Sequence, residues 1–294
     1  MLIALLENEP EIKQGYLTYL DNKKNKIVKI WDKYDNDEVD VIIVRSNIEV
    51  NSSLLDTYKN LQYVCRVGVW LEKIDRDECS KRGIQICNTP WANADSVADL
   101  VITGILNVSR KIQDEFDGIE NRFFYMWREL NWRTVGIIWF WNIWKKVYER
   151  LKWFGVTQFL IFDPFLKKQD VESFEYCSYA GDKKDIFKNC DMISFHIPLL
   201  DSTRNFLWKK EFKLLQKDTL LINTSRGGII NENKLIEFLS ENPESWAFLD
   251  VWEEEPNDPK IELLELENCM ITPHIWAMTK EAEEKMHYFK ELDI

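Results

Sequence analysis

The chain has 294 residues, 45% hydrophobic and 30% charged, with a formal net charge of −12. That length accommodates two ordinary domains, and the acidic balance without a basic stripe argues against a nucleic-acid or anionic-membrane surface. No apolar run approaches the roughly 18 residues of a membrane span, and the apolar start at Met1 lacks the basic flank of a signal peptide, so a cytoplasmic location is expected.

In chain order, an apolar opening over residues 1–6 precedes a helical pattern over 8–20 and strand-like runs over 26–30 and 41–44. A helix over 52–59 and a strand over 61–65 continue the alternation, which predicts a small α/β layer domain. Apolar positions at helical spacing over 97–112 predict a long helix leading into a second domain. There the alternation resumes with strands near 192–195, 219–222 and 246–250 and a helix over 231–241, the order of a doubly wound parallel sheet. The six cysteines form no C-x-x-C pair and have no His-rich neighbourhood, so they read as reduced thiols, and no metal site is expected.

The stretch from Val135 to Asp163 organises the second domain. It reads as an apolar strand, an abrupt turn, an amphipathic helix starting near Asn142 and a second strand ending in an acid. This is the layout of a dinucleotide-binding βαβ unit, whose fingerprint is G-x-G-x-x-G followed about 20 residues later by Asp or Glu. Here the glycine positions hold Trp139, Trp141 and Trp144, and Asp163 follows 19 residues after the last. Each glycine has a job, namely the tight turn, backbone contact with pyrophosphate and close helix–strand packing, which an indole cannot do.

Long ordered motifs carry a family resemblance. Arg66-Val67-Gly68-Val69-Trp70 with Ile74-Asp75, Asn88-Thr89-Pro90-Trp91-Ala92-Asn93-Ala94, H-I-P-L from His196, I-N-T-S-R-G-G from Ile222, L-D-V-W-E-E-E-P from Leu249 and T-P-H-I-W-A from Thr272 resemble the D-2-hydroxyacid dehydrogenases. The resemblance implies two Rossmann-like doubly wound parallel-sheet α/β domains: residues 1–92 plus 277–294 for substrate, and 93–276 for NAD. It also implies a homodimer acting on a small anionic 2-hydroxy or 2-keto acid, with no nucleic-acid or membrane partner.

By the same resemblance, His274 is the acid/base, Glu255 binds its imidazole, fixes the tautomer and favours the charged form, and Arg226 offers a planar fork for the substrate carboxylate. The bland alternatives are a structural His, a solvated member of the acidic run 253–255 and a surface Arg. Asp163 would accept from the adenosine ribose and disfavour a 2′-phosphate. Trp139, Trp141, Asn142, Ile143, Trp144, Thr224, Ser225, Arg226, Asp250 and the segment His274, Ile275, Trp276, Ala277 would contact NAD, with Asp250 at the carboxamide. Arg45, Ser46, Val69 and Trp70 would join Arg226 around the substrate. Arg66 is a second candidate cation for a substrate phosphate, and His196 and His287 read as structural.

Thirteen Trp and ten Gly are abnormal counts, because about 7% glycine predicts roughly 20. Against the family pattern, Trp70, Trp91, Trp132, Trp139, Trp141, Trp144, Trp153, Trp208, Trp246 and Trp276 all fall on glycine positions. Two readings follow. Either the tryptophans are genuine and the chain is a non-catalytic, corepressor-like binding protein, or UGA codons that mean glycine are written as tryptophan and the chain is an enzyme. The written tryptophans predict a crowded cofactor turn and left-handed backbone at some of the ten.

Overall fold

The computed structural model describes residues 1–6, 26–29, 32–45, 48–69, 71–90, 92–110, 128–139, 142–255, 257 and 259–289. The chain divides into two compact units, Met1–Asn93 with Met278–Ile294, and Ala94–Ala277. The expected helix over 8–20 lies outside the described residues.

The first unit holds strands β1 (Leu2–Leu5), β2 (Lys26–Lys29), β3 (Val41–Val44), β4 (Tyr63–Arg66) and β5 (Gln85–Asn88), all parallel, in the order β2-β1-β3-β4-β5. The central strands β1 and β3 are apolar throughout and buried at every position, as a parallel sheet covered on both faces requires. Helix α1 (Ser52–Leu55) is shorter than the 52–59 pattern, because the Thr57 hydroxyl and amide both turn back to the Leu54 carbonyl. Helix α2 (Arg76–Lys81) starts at Asp75, whose side chain accepts from the Glu78 amide.

The second unit opens with α3 (Ala94–Arg110), whose Val97, Val101, Ile105 and Val108 are buried on one face. Then follow β6 (Thr134–Ile138), α4 (Asn142–Trp153), β7 (Gln158–Phe162), α5 (Lys168–Glu172), β8 (Cys177–Tyr179), α6 (Lys183–Asn189), β9 (Met192–Phe195), α7 (Lys209–Phe212), β10 (Leu220–Asn223), α8 (Glu232–Glu241), β11 (Trp246–Leu249), α9 (Ile261–Leu264) and β12 (Cys269–Ile271). The sheet is parallel throughout, in the order β12-β11-β10-β9-β6-β7-β8. Strand order reverses between β6 and β9, and the crevice beyond the carboxyl ends of the strands at such a reversal is where open α/β sheets bind ligands. The last helix, α10 (Lys280–Met286), belongs to the first unit.

Candidate active site

Strands β7, β9, β10, β11 and β12 each deliver a polar residue at or just beyond the carboxyl end. Asp163 follows β7, His196 follows β9, Thr224, Ser225 and Arg226 follow β10, Asp250 follows β11, and Thr272 and His274 follow β12. One edge of one sheet therefore gathers these groups from residues 163 to 274.

The best-defined contact is between His274 and Glu255. Nδ1 of His274 meets Oε2 of Glu255, and Oε1 of the same carboxylate accepts from the Trp252 amide at 3.0 Å. A carboxylate on Nδ1 fixes the proton there and leaves Nε2 as the atom that exchanges a proton with a ligand. His274 has a φ of 52°, a left-handed conformation unusual for a side-chain-bearing residue, and its amide donates to the Thr272 carbonyl at 2.9 Å.

Asp250 organises the loop beneath this pair. Its Oδ1 accepts from the Ile275 amide at 2.9 Å and the Thr272 hydroxyl at 2.5 Å, and its Oδ2 accepts from the Trp276 amide at 2.9 Å. Burial holds its carboxyl above the ordinary range, while these donors pull the other way. Both oxygens of the residue expected at a carboxamide thus also tie down the chain's own 272–276 loop.

Arg226 sits on a turn built by a residue absent from the sequence expectation. The buried Asn223 closes the turn: Oδ1 accepts from the Ser225 amide at 3.1 Å and hydroxyl at 2.7 Å, and Nδ2 donates to the Arg226 carbonyl at 3.0 Å. An Asn two residues before a Ser is a recognisable turn pattern, so the signal was present in N-T-S. Nη1 of Arg226 donates to the Ser225 carbonyl at 2.7 Å. The next residue, Gly227, backs onto the Trp252 carbonyl so closely that a Cβ there would lie 1.8 Å from its oxygen. Gly227 therefore presses the arginine turn against the loop that carries Glu255.

The residues expected around a dinucleotide lie at the ends of β6, β7 and β10 and at the start of α4. Asp163 is buried where β7 ends, with Oδ1 accepting from the Phe165 amide at 2.7 Å, and the buried Thr224 hydroxyl has no hydrogen-bond partner among the described residues. Ile143 packs against the core, and Asn142 is the first residue of α4. Trp139 closes β6 with a φ of 76°, and its ring packs edge-on to Phe165 at 5.3 Å, filling the turn beside Asp163. Left-handed backbone costs a side-chain-bearing residue about 1–2 kcal/mol. Trp144 corrects the expectation of a crowded cleft, because its ring is buried in the core, 5.0 Å from Phe174 and 5.7 Å from Tyr148. Trp141 lies outside the described residues.

In the first unit, the expected substrate cation is engaged: Arg45 pairs with Glu283 of α10 and lies 3.3 Å from Nε2 of His287. Arg66 is buried and donates to the Val67 carbonyl. Val69 follows Gly68, whose φ is 113°, and its carbonyl accepts from Asn88 Nδ2 at 2.8 Å. Ser46 and Trp70 lie outside the described residues. Among the described residues, no group of three or more His, Cys, Asp or Glu could hold a metal ion, and no helix is long and apolar enough to cross a membrane.

Residues 102–275 match the family model described as D-isomer specific 2-hydroxyacid dehydrogenase, NAD binding domain, more than half of the chain. The chain is 34% identical over 302 residues to a hydroxypyruvate reductase of Thermotoga maritima, covering 99% of this chain and 94% of that one. It is 33% identical over 252 residues to a D-3-phosphoglycerate dehydrogenase of Methanocaldococcus jannaschii, covering 84% of this chain but 47% of that one. A solved D-2-hydroxyisocaproate dehydrogenase shares the fold, with a TM-score of 0.86 over 99% of this chain and 95% of the other at 21% identity. With the parallel sheets and the strand-end residues above, these matches place the chain in the D-isomer specific 2-hydroxyacid dehydrogenase family, NAD-dependent oxidoreductases acting on CH–OH groups.

Proposed function

We propose that the chain interconverts a short D-2-hydroxy acid and its 2-keto acid, with His274 as acid/base, Glu255 as its partner and Arg226 as the carboxylate anchor. The observation that carries this reading is the Glu255 carboxylate on Nδ1 of His274, beside an arginine turn locked to the same loop through Gly227 and Trp252. NAD, when bound, takes or supplies the hydride at C2 of the substrate. In the oxidation direction, Nε2 of His274 accepts the hydroxyl proton as the C2–O bond becomes a carbonyl, and the imidazolium formed is stabilised by Glu255. In reduction, the same atom returns the proton to the oxygen. The Arg226 guanidinium stays charged, and its planar fork suits a carboxylate and an adjacent carbonyl oxygen. Asp163, in this reading, accepts from ribose hydroxyls and repels a 2′-phosphate, which favours NAD over NADP.

For the substrate, a first reading is 3-phosphoglycerate and 3-phosphohydroxypyruvate. It draws support from the identity with D-3-phosphoglycerate dehydrogenases. A second reading, hydroxypyruvate or glyoxylate, is favoured by two observations: the match to a hydroxypyruvate reductase over nearly all of both chains, and the engagement of Arg45 by Glu283, which occupies a cation expected at a phosphate. Steady-state rates with 3-phosphohydroxypyruvate, hydroxypyruvate, glyoxylate and pyruvate separate the two, since a phosphate site raises kcat/KM for the first over the second. A homodimer in the cytoplasm completes the proposal, and sedimentation at micromolar concentration tests the assembly.

A further inference from the structure

The misfit between this site and a dinucleotide is confined to tryptophans and takes several physical forms. Trp132 and Trp139 have φ values of 68° and 76°, the region that Gly68, Gly83, Gly155 and Gly228 of the same chain occupy at 71° to 113°. Bulky side chains are outliers there, because Cβ crowds the following carbonyl. The Trp276 ring stands 6.0 Å from Cζ of Arg226 and 5.6 Å from the His274 ring, so an indole crowds both the anion-binding fork and the proton donor. Its Nε1 is buried with no hydrogen-bond partner among the described residues, although an indole N–H taken from water normally finds an acceptor. Trp132, Trp153 and Trp208 leave 76%, 92% and 52% of their surface to solvent. Trp144 and Trp246 pack within the core, and Trp70, Trp91 and Trp141 lie outside the described residues.

We infer that the protein made in its own cells carries glycine at positions 70, 91, 132, 139, 141, 144, 153, 208, 246 and 276. The β6–α4 turn is then an open cradle for pyrophosphate, and the room beside Arg226 and His274 that the indole takes admits substrate. The change doubles the glycine count and leaves three tryptophans, returning both to ordinary usage. A coding sequence in which UGA means glycine, read with the code in which UGA means tryptophan, produces this pattern and leaves the remaining glycines untouched. What the cradle holds rests on the NAD-dehydrogenase reading above.

The test is peptide mass spectrometry of the protein isolated from its own cells, with the codons read at the ten positions. Glycine masses and UGA codons are expected, and tryptophan masses or UGG codons would overturn the inference whatever the activity. A second arm titrates NADH into the chain as written and into the version with all ten Trp→Gly changes, following nicotinamide fluorescence. Binding by the second at least tenfold tighter than by the first is expected, and equal affinity overturns the open-cradle claim. Glycine masses together with a repaired protein that binds NADH but turns over no keto acid would leave this inference standing and remove the dehydrogenase reading.

An independent observation assigns a positioning role to Glu232. This buried first residue of α8 and Glu253 form a reciprocal pair: the Glu232 amide donates to Glu253 Oε1 at 3.3 Å, and the Glu253 amide donates to Glu232 Oε1. Nζ of Lys260 lies 3.5 Å from Glu232 Oε2 and 3.4 Å from Glu253 Oε2, tying both ends of the loop that presents Glu255. We propose that Glu232 fixes the Glu255 loop and acts on catalysis through the Glu255–His274 contact. In Glu232→Ala, kcat should fall at least tenfold with the KM for NADH unchanged. The imidazole 15N shifts of His274, one of three histidines in the chain, should lose the single-tautomer signature. Glu232→Gln, which keeps the acceptor for the Glu253 amide, should restore both. Loss of thermal stability alone, with kcat and the His274 shifts unchanged, overturns the assignment.

Discussion

Gly227→Ala isolates the contact that couples the arginine turn to the histidine's partner. A Cβ at this position would lie 1.8 Å from the Trp252 carbonyl oxygen and 2.2 Å from its carbon, whereas real Cβ contacts essentially never fall below 3.0 Å, so the two backbones must separate by at least 1.2 Å. Trp252 donates its amide to Glu255, so the displacement passes to the carboxylate on His274 and moves Arg226 the other way. Overpacking of this kind destabilises by about 1–3 kcal/mol, and a misplacement of about 1 Å can cost about 10²-fold in rate. In the glycine-bearing protein, kcat for keto-acid reduction should drop about 10²-fold, while NADH affinity changes by less than about threefold. Gly181→Ala is the control, since a Cβ there meets nothing within 4 Å. Stopped-flow NADH oxidation at saturating substrate, with thermal melts of all three proteins, reads both effects. Retention of kcat within about threefold in Gly227→Ala would refute the claim that this contact sets the active geometry.

His274→Ala should remove about 10²–10⁴-fold of turnover and leave NADH binding intact, and Arg226→Ala should raise KM for the keto acid and lower kcat together; fluorescence titration and initial rates measure these effects. Asp163→Ser should narrow the preference for NADH over NADPH at least tenfold in kcat/KM, as competition between the two cofactors will show. Burial pushes the His196 imidazole down to about 3, with its Nε2 3.0 Å from Ser194 Oγ. A depressed folded value means that both states are neutral above the unfolded value of about 6.5, and only the unfolded state gains a proton below it. Stability should therefore fall with acid by about 1.4 kcal/mol per pH unit from about pH 6.5 toward 3 on this account alone. Urea midpoints should show a shallower acid limb for His196→Gln, and parallel limbs would remove the claim.

Much of this molecule was legible because its key segment carries two strong signals at once. Between Val135 and Phe162 an apolar strand, a helix with a 3.6-residue apolar face and a second strand follow one another, and the structure folds them as β6, α4 and β7. The same periodicity explains where the Trp144 ring goes: with Val147, Tyr148 and Leu151 it lies at i, i+3, i+4, i+7 on the buried face of α4, so an indole written there turns into the core rather than into the cleft. Strands β8 and β12 have three residues each, too few to show alternation. Helix α1 stopped early because Thr57 turned its hydroxyl to the backbone, a local competition that apolar spacing does not register. Within the site, His274, Glu255 and Arg226 could be named from motifs. The engagement of Asp250 by Thr272, Ile275 and Trp276, and of Arg45 by Glu283, depends on residues distant in sequence and emerged only from the fold.

The central claim, that this strand-end cluster transfers a proton in step with hydride transfer to or from a 2-keto acid, is tested most directly by following NADH at 340 nm. The assay uses the glycine-bearing protein and its His274→Ala variant, with 3-phosphohydroxypyruvate, hydroxypyruvate, glyoxylate and pyruvate. The account predicts steady oxidation of NADH with at least one of these acids and loss of at least 10²-fold in the variant. Tight NADH binding with no turnover of any of them, or turnover that His274→Ala leaves unchanged, would contradict it.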